Sequence, residues 1–179
     1  APQGFRTTRC LAQRAKATPS ACLVLPLPTP RPSNGKTLGF ALLVVAQPYR
    51  GRAIPFAFVT YSERTLGEEG TSRNWEHLRA FGRVRGLMGK KPLVLDREFS
   101  YLWLYEAMVE SGMNFVVRLN TGNRARITDG EGKPLALVIR PGEEVFLEGV
   151  KYMGRVLGNL AGVWEKGQGE PLWGFTSLS

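Results

Sequence analysis

Leu93-Val94-Leu95-Asp96-Arg97-Glu98-Phe99 is the stretch on which the fold turns. Its first three residues make a short, wholly apolar strand of the kind buried on both faces of a sheet. The strand runs straight into an acid-base-acid triplet. Lys90-Lys91-Pro92 ends a preceding helix. On the other side Ser100 is placed to cap a helix with Leu102, Tyr105, Met108 and Val109 along one face, stopped by Gly112. Asn114 to Leu119 reads as a further strand carrying Arg118 near its end. The spacing predicts a strand–helix–strand unit fit for a parallel, right-handed crossover. In α/β sheets, ligands sit outside the carboxyl ends of such strands.

Asp96 is one of only two aspartates in the chain. The other, Asp129, stands in an Asp-Gly turn that hairpin geometry accounts for. A carboxylate at the end of a buried strand is costly to desolvate without a partner. Three fates are open to Asp96: holding a cation, pairing with Arg97, Arg118 or Arg64, or capping the next helix.

Upstream, Asn34-Gly35 signals a turn before the apolar run Thr37–Ala46, which predicts a buried strand. Pro48-Tyr49-Arg50-Gly51-Arg52 predicts a turn, and Ala53–Tyr61 a second strand, together an antiparallel hairpin with a basic tip. Asn74 is placed to cap a helix with Trp75, Leu78, Phe81 and Met88 at helical spacing and Arg79, Arg83 and Arg85 opposite. Downstream of Asn120 the pattern changes to short β segments: Ala125–Thr128, Leu135–Ile139, Val145–Leu147, Lys151–Val156 and Leu172–Thr176. Separated by turn signals, they predict a β meander.

The net charge of +9 is uneven. Residues 1–62 hold eight Lys or Arg and no acid, whereas residues 63–179 hold sixteen basic and fifteen acidic groups. Such a basic stretch can neutralise nucleic-acid phosphates. Residues 1–32 contain six of the twelve prolines and no apolar periodicity, which reads as disorder or as an altered segment. The longest apolar run, Leu38 to Ala46, is far shorter than the roughly 20 residues that cross a bilayer. No secretion signal opens the chain. Cys10 and Cys22 form no Cys-x-x-Cys pair, and the single histidine, His77, completes neither an ordinary zinc site nor a nucleophile–base pair. Membrane, coiled-coil, zinc-finger and thiol-redox classes drop out.

Three segments carry a family likeness. Leu93-Val-Leu-Asp-Arg-Glu-Phe, then a helix, then Asn114-Phe-Val-Val-Arg-Leu resembles the second-aspartate region of bacterial DDE transposases. It is similar in particular to those of insertion sequence family 4, whose signature there is Asp-Arg-Glu-Ala-Asp followed by Phe-Val-Val-Arg. Tyr49-Arg-Gly-Arg-Ala-Ile-Pro-Phe resembles the second and third strands of the same core, and Leu23-Val-Leu-Pro26 the first. The chain departs at Phe99-Ser100, where the signature has Ala-Asp.

The resemblance implies an α/β, RNase-H-like mixed sheet, incomplete, over residues 34–120. Before it come residues 1–33, disordered or altered; after it, residues 121–179 match a β-rich insertion. It implies metal-dependent DNA cleavage and strand transfer with Mg²⁺ or Mn²⁺ held by three carboxylates. Asp96 matches the second of these, with Glu98 behind it. Arg97 and Arg118 would contact phosphate or orient the carboxylate, and Arg50 and Arg52 would contact DNA at the hairpin tip. Transposon-end DNA and full-length transposase are the implied partners, with no small-molecule cofactor and a location on the bacterial nucleoid in the cytoplasm. Pro26 stands where the first aspartate is expected, and no glutamate helix follows the β segments, so the chain reads as truncated and inactive by itself. The alternatives are a non-catalytic DNA-binding or transposase-interacting product, and a degenerate gene product.

Overall fold

The computed structural model describes residues 22–27, 40–50, 52–62, 72–120 and 127–179. The elements along them are β1 (Cys22–Leu27), β2 (Phe40–Tyr49), β3 (Arg52–Ser62), helix α1 (Arg73–Met88), β4 (Leu93–Leu95), a 3-10 turn (Arg97–Phe99), helix α2 (Leu102–Glu110), β5 (Phe115–Arg118), β6 (Ile127–Thr128), β7 (Glu144–Tyr152), β8 (Val156–Val163) and β9 (Leu172–Thr176). The architecture is mixed α/β, with a mixed sheet and few helices. Two units divide it, one within residues 20–94 and one within residues 95–179, and the boundary falls inside β4.

In the first unit the strand order is β3-β2-β1-β4. β1 pairs antiparallel with β2, Leu25 opposite Val44, and β2 pairs antiparallel with β3. β1 contains Leu23-Val24-Leu25-Pro26, the segment likened to a first core strand. Its residues belong to the stretch 1–33 read as disordered or altered; the rest of that stretch lies outside the described residues. β2 runs on through Gln47 into Pro48-Tyr49, the start of the expected turn, and Tyr49 stands opposite Arg52. Arg50 between them takes φ 48, the left-handed conformation that tight hairpin turns require. In β3 the register slips: Val45 faces Ala57 and Ala46 faces Pro55, so Phe56 is the extra residue of a β-bulge.

Helix α1 is capped by Ser72, whose Oγ accepts from the Trp75 N–H at 3.2 Å, and not by Asn74 as expected. A hydroxyl three residues ahead of that N–H reaches it; Asn74 lies already within the first turn. The buried stripe is His77, Ala80, Phe81, Val84 and Met88. Trp75, expected inside, is 49% exposed. Arg79, Arg83 and Arg85 are exposed as read. His77 takes the core position because its Nε2 meets the Tyr61 hydroxyl of β3 at 3.2 Å, edge-to-face with that ring. Burial, and then the nearby Arg73 charge, push its imidazole down to about 4, so it is neutral at pH 7.

In the second unit the order is β5-β9-β8-β7-β6, antiparallel throughout. Helix α2 begins after Tyr101, not at a Ser100 cap, and buries Leu104, Tyr105 and Met108 while Val109 turns outward. Gly112 ends it at φ 63, donating to the Val109 carbonyl at 2.9 Å while Met113 donates to Met108 at 2.9 Å. These two bonds make a Schellman motif.

The meander differs in register from the expectation. Leu135–Ile139 forms no strand, only a bridge from Thr128 to Pro134. β7 is longer than the predicted Val145–Leu147, and the segment predicted as one strand, Lys151–Val156, is split by the turn Met153-Gly154-Arg155, with β8 beginning only at Val156. Glycine disguises β8, and packing explains the glycine. A Cβ on Gly158 would lie 2.6 Å from the Phe175 ring, and one on Gly162 would lie 2.5 Å from the Trp173 ring. Bare backbone there lets β9 lay two aromatic rings across its neighbour. Phe175 also joins Tyr105, Phe115 and Tyr152 in a cluster, with Tyr105 stacked 5.6 Å from Phe115 and edge-on 4.6 Å from Tyr152.

Candidate functional site around Asp96

Leu93 and Leu95 are buried, as a two-sided strand requires, and the chain emerges at Asp96. Asp96 leaves the strand in extended conformation (φ -78, ψ 170) and its carbonyl accepts from Phe99 at 3.0 Å, closing the 3-10 turn. Phe99 anchors that turn, fully buried, which leaves Arg97 and Glu98 outside. The Asp96 side chain makes no cap hydrogen bond. Of the arginines open to it, Arg118 is the one it meets: Nη1 lies 3.7 Å from its Oδ1.

Arg118 closes β5, opposite Gly174 of β9, and the following Leu119 N–H donates to the Trp173 carbonyl at 2.8 Å. The second arm of the Arg118 guanidinium, Nη2, lies 3.8 Å from Glu170 Oε1. Arg118 is thus shared between two carboxylates, both in contact with solvent. Long, partly exposed pairs of this kind contribute little to stability. Their importance is positional: one guanidinium occupies the space beside the strand-end carboxylate.

A shallow pocket of about 150 Å³ opens next to this pair, lined by Arg97, Arg118, Leu119, Asn120, Glu170, Pro171 and Trp173. Arg97 and Arg118 therefore meet in one cavity, as their flanking of a single crossover unit suggests. Two cationic side chains with an amide beside them are suited to an anion, and planar guanidinium groups match phosphate oxygens in pairs. Glu98 is exposed on the same turn. Arg50 and Arg52 are exposed at the β2–β3 tip, in the other unit, with Arg50 lying 5.3 Å over the Tyr49 ring. Glu170 was not a candidate in the sequence. It sits in a glycine-flanked loop between β8 and β9, and only the antiparallel return of β9 beside β5 brings it to Arg118.

A two-ion centre needs several carboxylates converging on one point. Among the described residues no group of three or more His, Cys, Asp or Glu gathers in that way. Asp96 has a guanidinium, not a second acid, as its neighbour. The described residues do not fit a two-ion centre. Among them, too, no helix is long and apolar enough to cross a membrane. Compared with known proteins, the chain matches no family model and no curated protein.

Proposed function

We propose that the chain is part of a DDE transposase of the insertion sequence family 4 type, built on an RNase-H-like core. The observation that carries this reading is Asp96 at the carboxyl end of β4, 3.7 Å from Arg118 at the end of β5, within the Asp-Arg-Glu … Phe-Val-Val-Arg pattern. The antiparallel β1–β2–β3 arrangement and the helix before β4 support it. Its partner is DNA at transposon ends in the bacterial cytoplasm, with full-length transposase as a second partner. Arg97, Arg118, Arg50 and Arg52 supply phosphate contacts, and Glu98 supports Asp96.

Catalysis is not the activity of this chain alone. One matching carboxylate, with the Arg118 guanidinium 3.7 Å away, holds at most a single Mg²⁺ or Mn²⁺ weakly. The pairing of Arg118 with both Asp96 and Glu170 favours a second reading, a DNA-binding product that cleaves nothing. Duplex binding measured by fluorescence anisotropy across a salt series tests both. Binding should weaken steeply with salt, and Arg97→Gln or Arg118→Gln should each lower the slope of log affinity against log salt by about 1. Salt-independent binding, or none, would end the DNA reading. Mn²⁺-dependent nicking abolished by Asp96→Asn would show instead that further carboxylates complete a catalytic site.

A further inference from the structure

The β-rich segment does more than extend the sheet: one of its side chains reaches the turn that follows Asp96. Ser100 closes that turn, its N–H donating to the Arg97 carbonyl at 3.1 Å. The Tyr152 hydroxyl, from the end of β7, donates to the Ser100 carbonyl at 3.2 Å. The Tyr105 hydroxyl, from α2, donates to Ser100 Oγ at 3.1 Å, and that Oγ lies 3.5 Å from the Tyr152 hydroxyl. With Ser100 donating to Tyr152, the directions are consistent around the ring: Tyr105 to Ser100 Oγ, Ser100 Oγ to Tyr152, Tyr152 to the Ser100 carbonyl. Both phenols are rooted in the aromatic cluster with Phe115 and Phe175, so neither can follow a moving Ser100. Burial keeps the Tyr105 phenol protonated far above the usual range, and it therefore remains a donor at any ordinary pH.

We infer that Tyr152 is a positioning residue for the Arg97 side of the Asp96 pocket, its hydroxyl fixing the 3-10 turn through Ser100 so that Arg97 is presented to a phosphate anion beside Arg118. The anion's identity as DNA phosphate rests on the proposed function; the clamp itself does not. Arg118 belongs to β5 and owes nothing to this clamp. Loss of the hydroxyl should therefore affect the two arginines unequally.

The test is a titration of the full chain with a short DNA duplex, followed by the arginine Nε–Hε resonances, alongside amide hydrogen exchange. In the parent, Arg97 and Arg118 should both shift with added duplex. In Tyr152→Phe, the Phe99 and Ser100 amides should exchange about fivefold faster, as loss of one hydrogen bond implies. The Arg97 shift should collapse while that of Arg118 persists. Ile139→Val, a buried change outside the aromatic cluster, is the control: it should lower the Tm yet leave the Arg97 shift intact. An Arg97 shift unchanged in Tyr152→Phe would overturn the inference. So would parallel losses at both arginines, or an equal loss in Ile139→Val, because these signal general loosening. A parent chain in which neither arginine responds would defeat the DNA reading separately, and unchanged Phe99 and Ser100 exchange would then still refute the clamp.

Discussion

Glycine has opposite meanings in the two units. In α1 of the first, Gly82 and Gly86 face open space, with nothing within 4 Å of an added Cβ. In β8 of the second, Gly158 and Gly162 are pressed against aromatic rings that leave no room for one. The helix holds glycines that only loosen it, since each gives up backbone entropy without any packing return. The strand holds glycines that its partner's side chains demand. Composition treats the four residues alike, and only their neighbours distinguish them.

The sharpest way to break this contrast is Gly162→Ala. Its Cβ would lie under 3.0 Å from three carbons of the Trp173 ring, so the ring or the strand must move. Overpacking of this sort should cost about 3 kcal/mol, read from the urea midpoint. A loss below about 0.5 kcal/mol would show that Trp173 has a second seat. Acid distinguishes the units next. His77 titrates near 4 when folded against 6.5 in its unperturbed state, so the unfolded chain takes up its proton first as pH falls. The stability that the neutral imidazole brings is complete above about 6.5 and declines through the window down to about 4. Between pH 7 and pH 5 the loss should be about 2 kcal/mol. It should show in hydrogen exchange of α1 and flatten in His77→Leu. An acid slope equally steep in that variant would transfer the effect to other groups.

Gly82→Ala should move the other way, stabilising α1 by about 0.5–1 kcal/mol, visible as slower helix exchange. Destabilisation there would mean the open face is covered in solution. The smallest effect belongs to the site. Asp96→Asn should change stability by less than about 0.5 kcal/mol, because the pair with Arg118 is long and half-exposed. A larger loss in chemical denaturation would make Asp96 a structural residue.

Much of the fold was legible where periodicity and punctuation agree. Leu93–Leu95, the stop at Gly112 and the strand at Leu172–Thr176 fall where the residues predict them. The β8 strand was not legible, because Gly158 and Gly162 dilute its apolar pattern for a reason located in β9. Helix α1 was legible as a helix, and Phe81 and Met88 lie on its buried face as read, but His77 takes the inside place expected for Trp75. Trp75 looks more apolar than His77, yet only the imidazole has a hydroxyl waiting for it on β3. At the site, Arg118 was one of three arginines left open as partners of Asp96, and the strand ends narrow the choice to it. Glu170 and Tyr152 could not follow from the crossover spacing, since both arrive by the antiparallel return of a segment 50 residues or more downstream.

Phe56 has a consequence for how copies of the chain meet one another. Among the described strands β3 is an edge, eleven residues long, with Phe58 73% exposed and Ile54 49% exposed. An edge of that length and apolarity would ordinarily be a template on which another strand could stack. The bulge breaks the template in its middle: residues 52–55 and 57–62 cannot both keep step with one straight neighbour. Pro55, beside the bulge, offers no N–H at all. An incoming strand could bond with only one half of the edge at a time, and straightening the bulge would be the change most apt to turn this hairpin into a seed for aggregation.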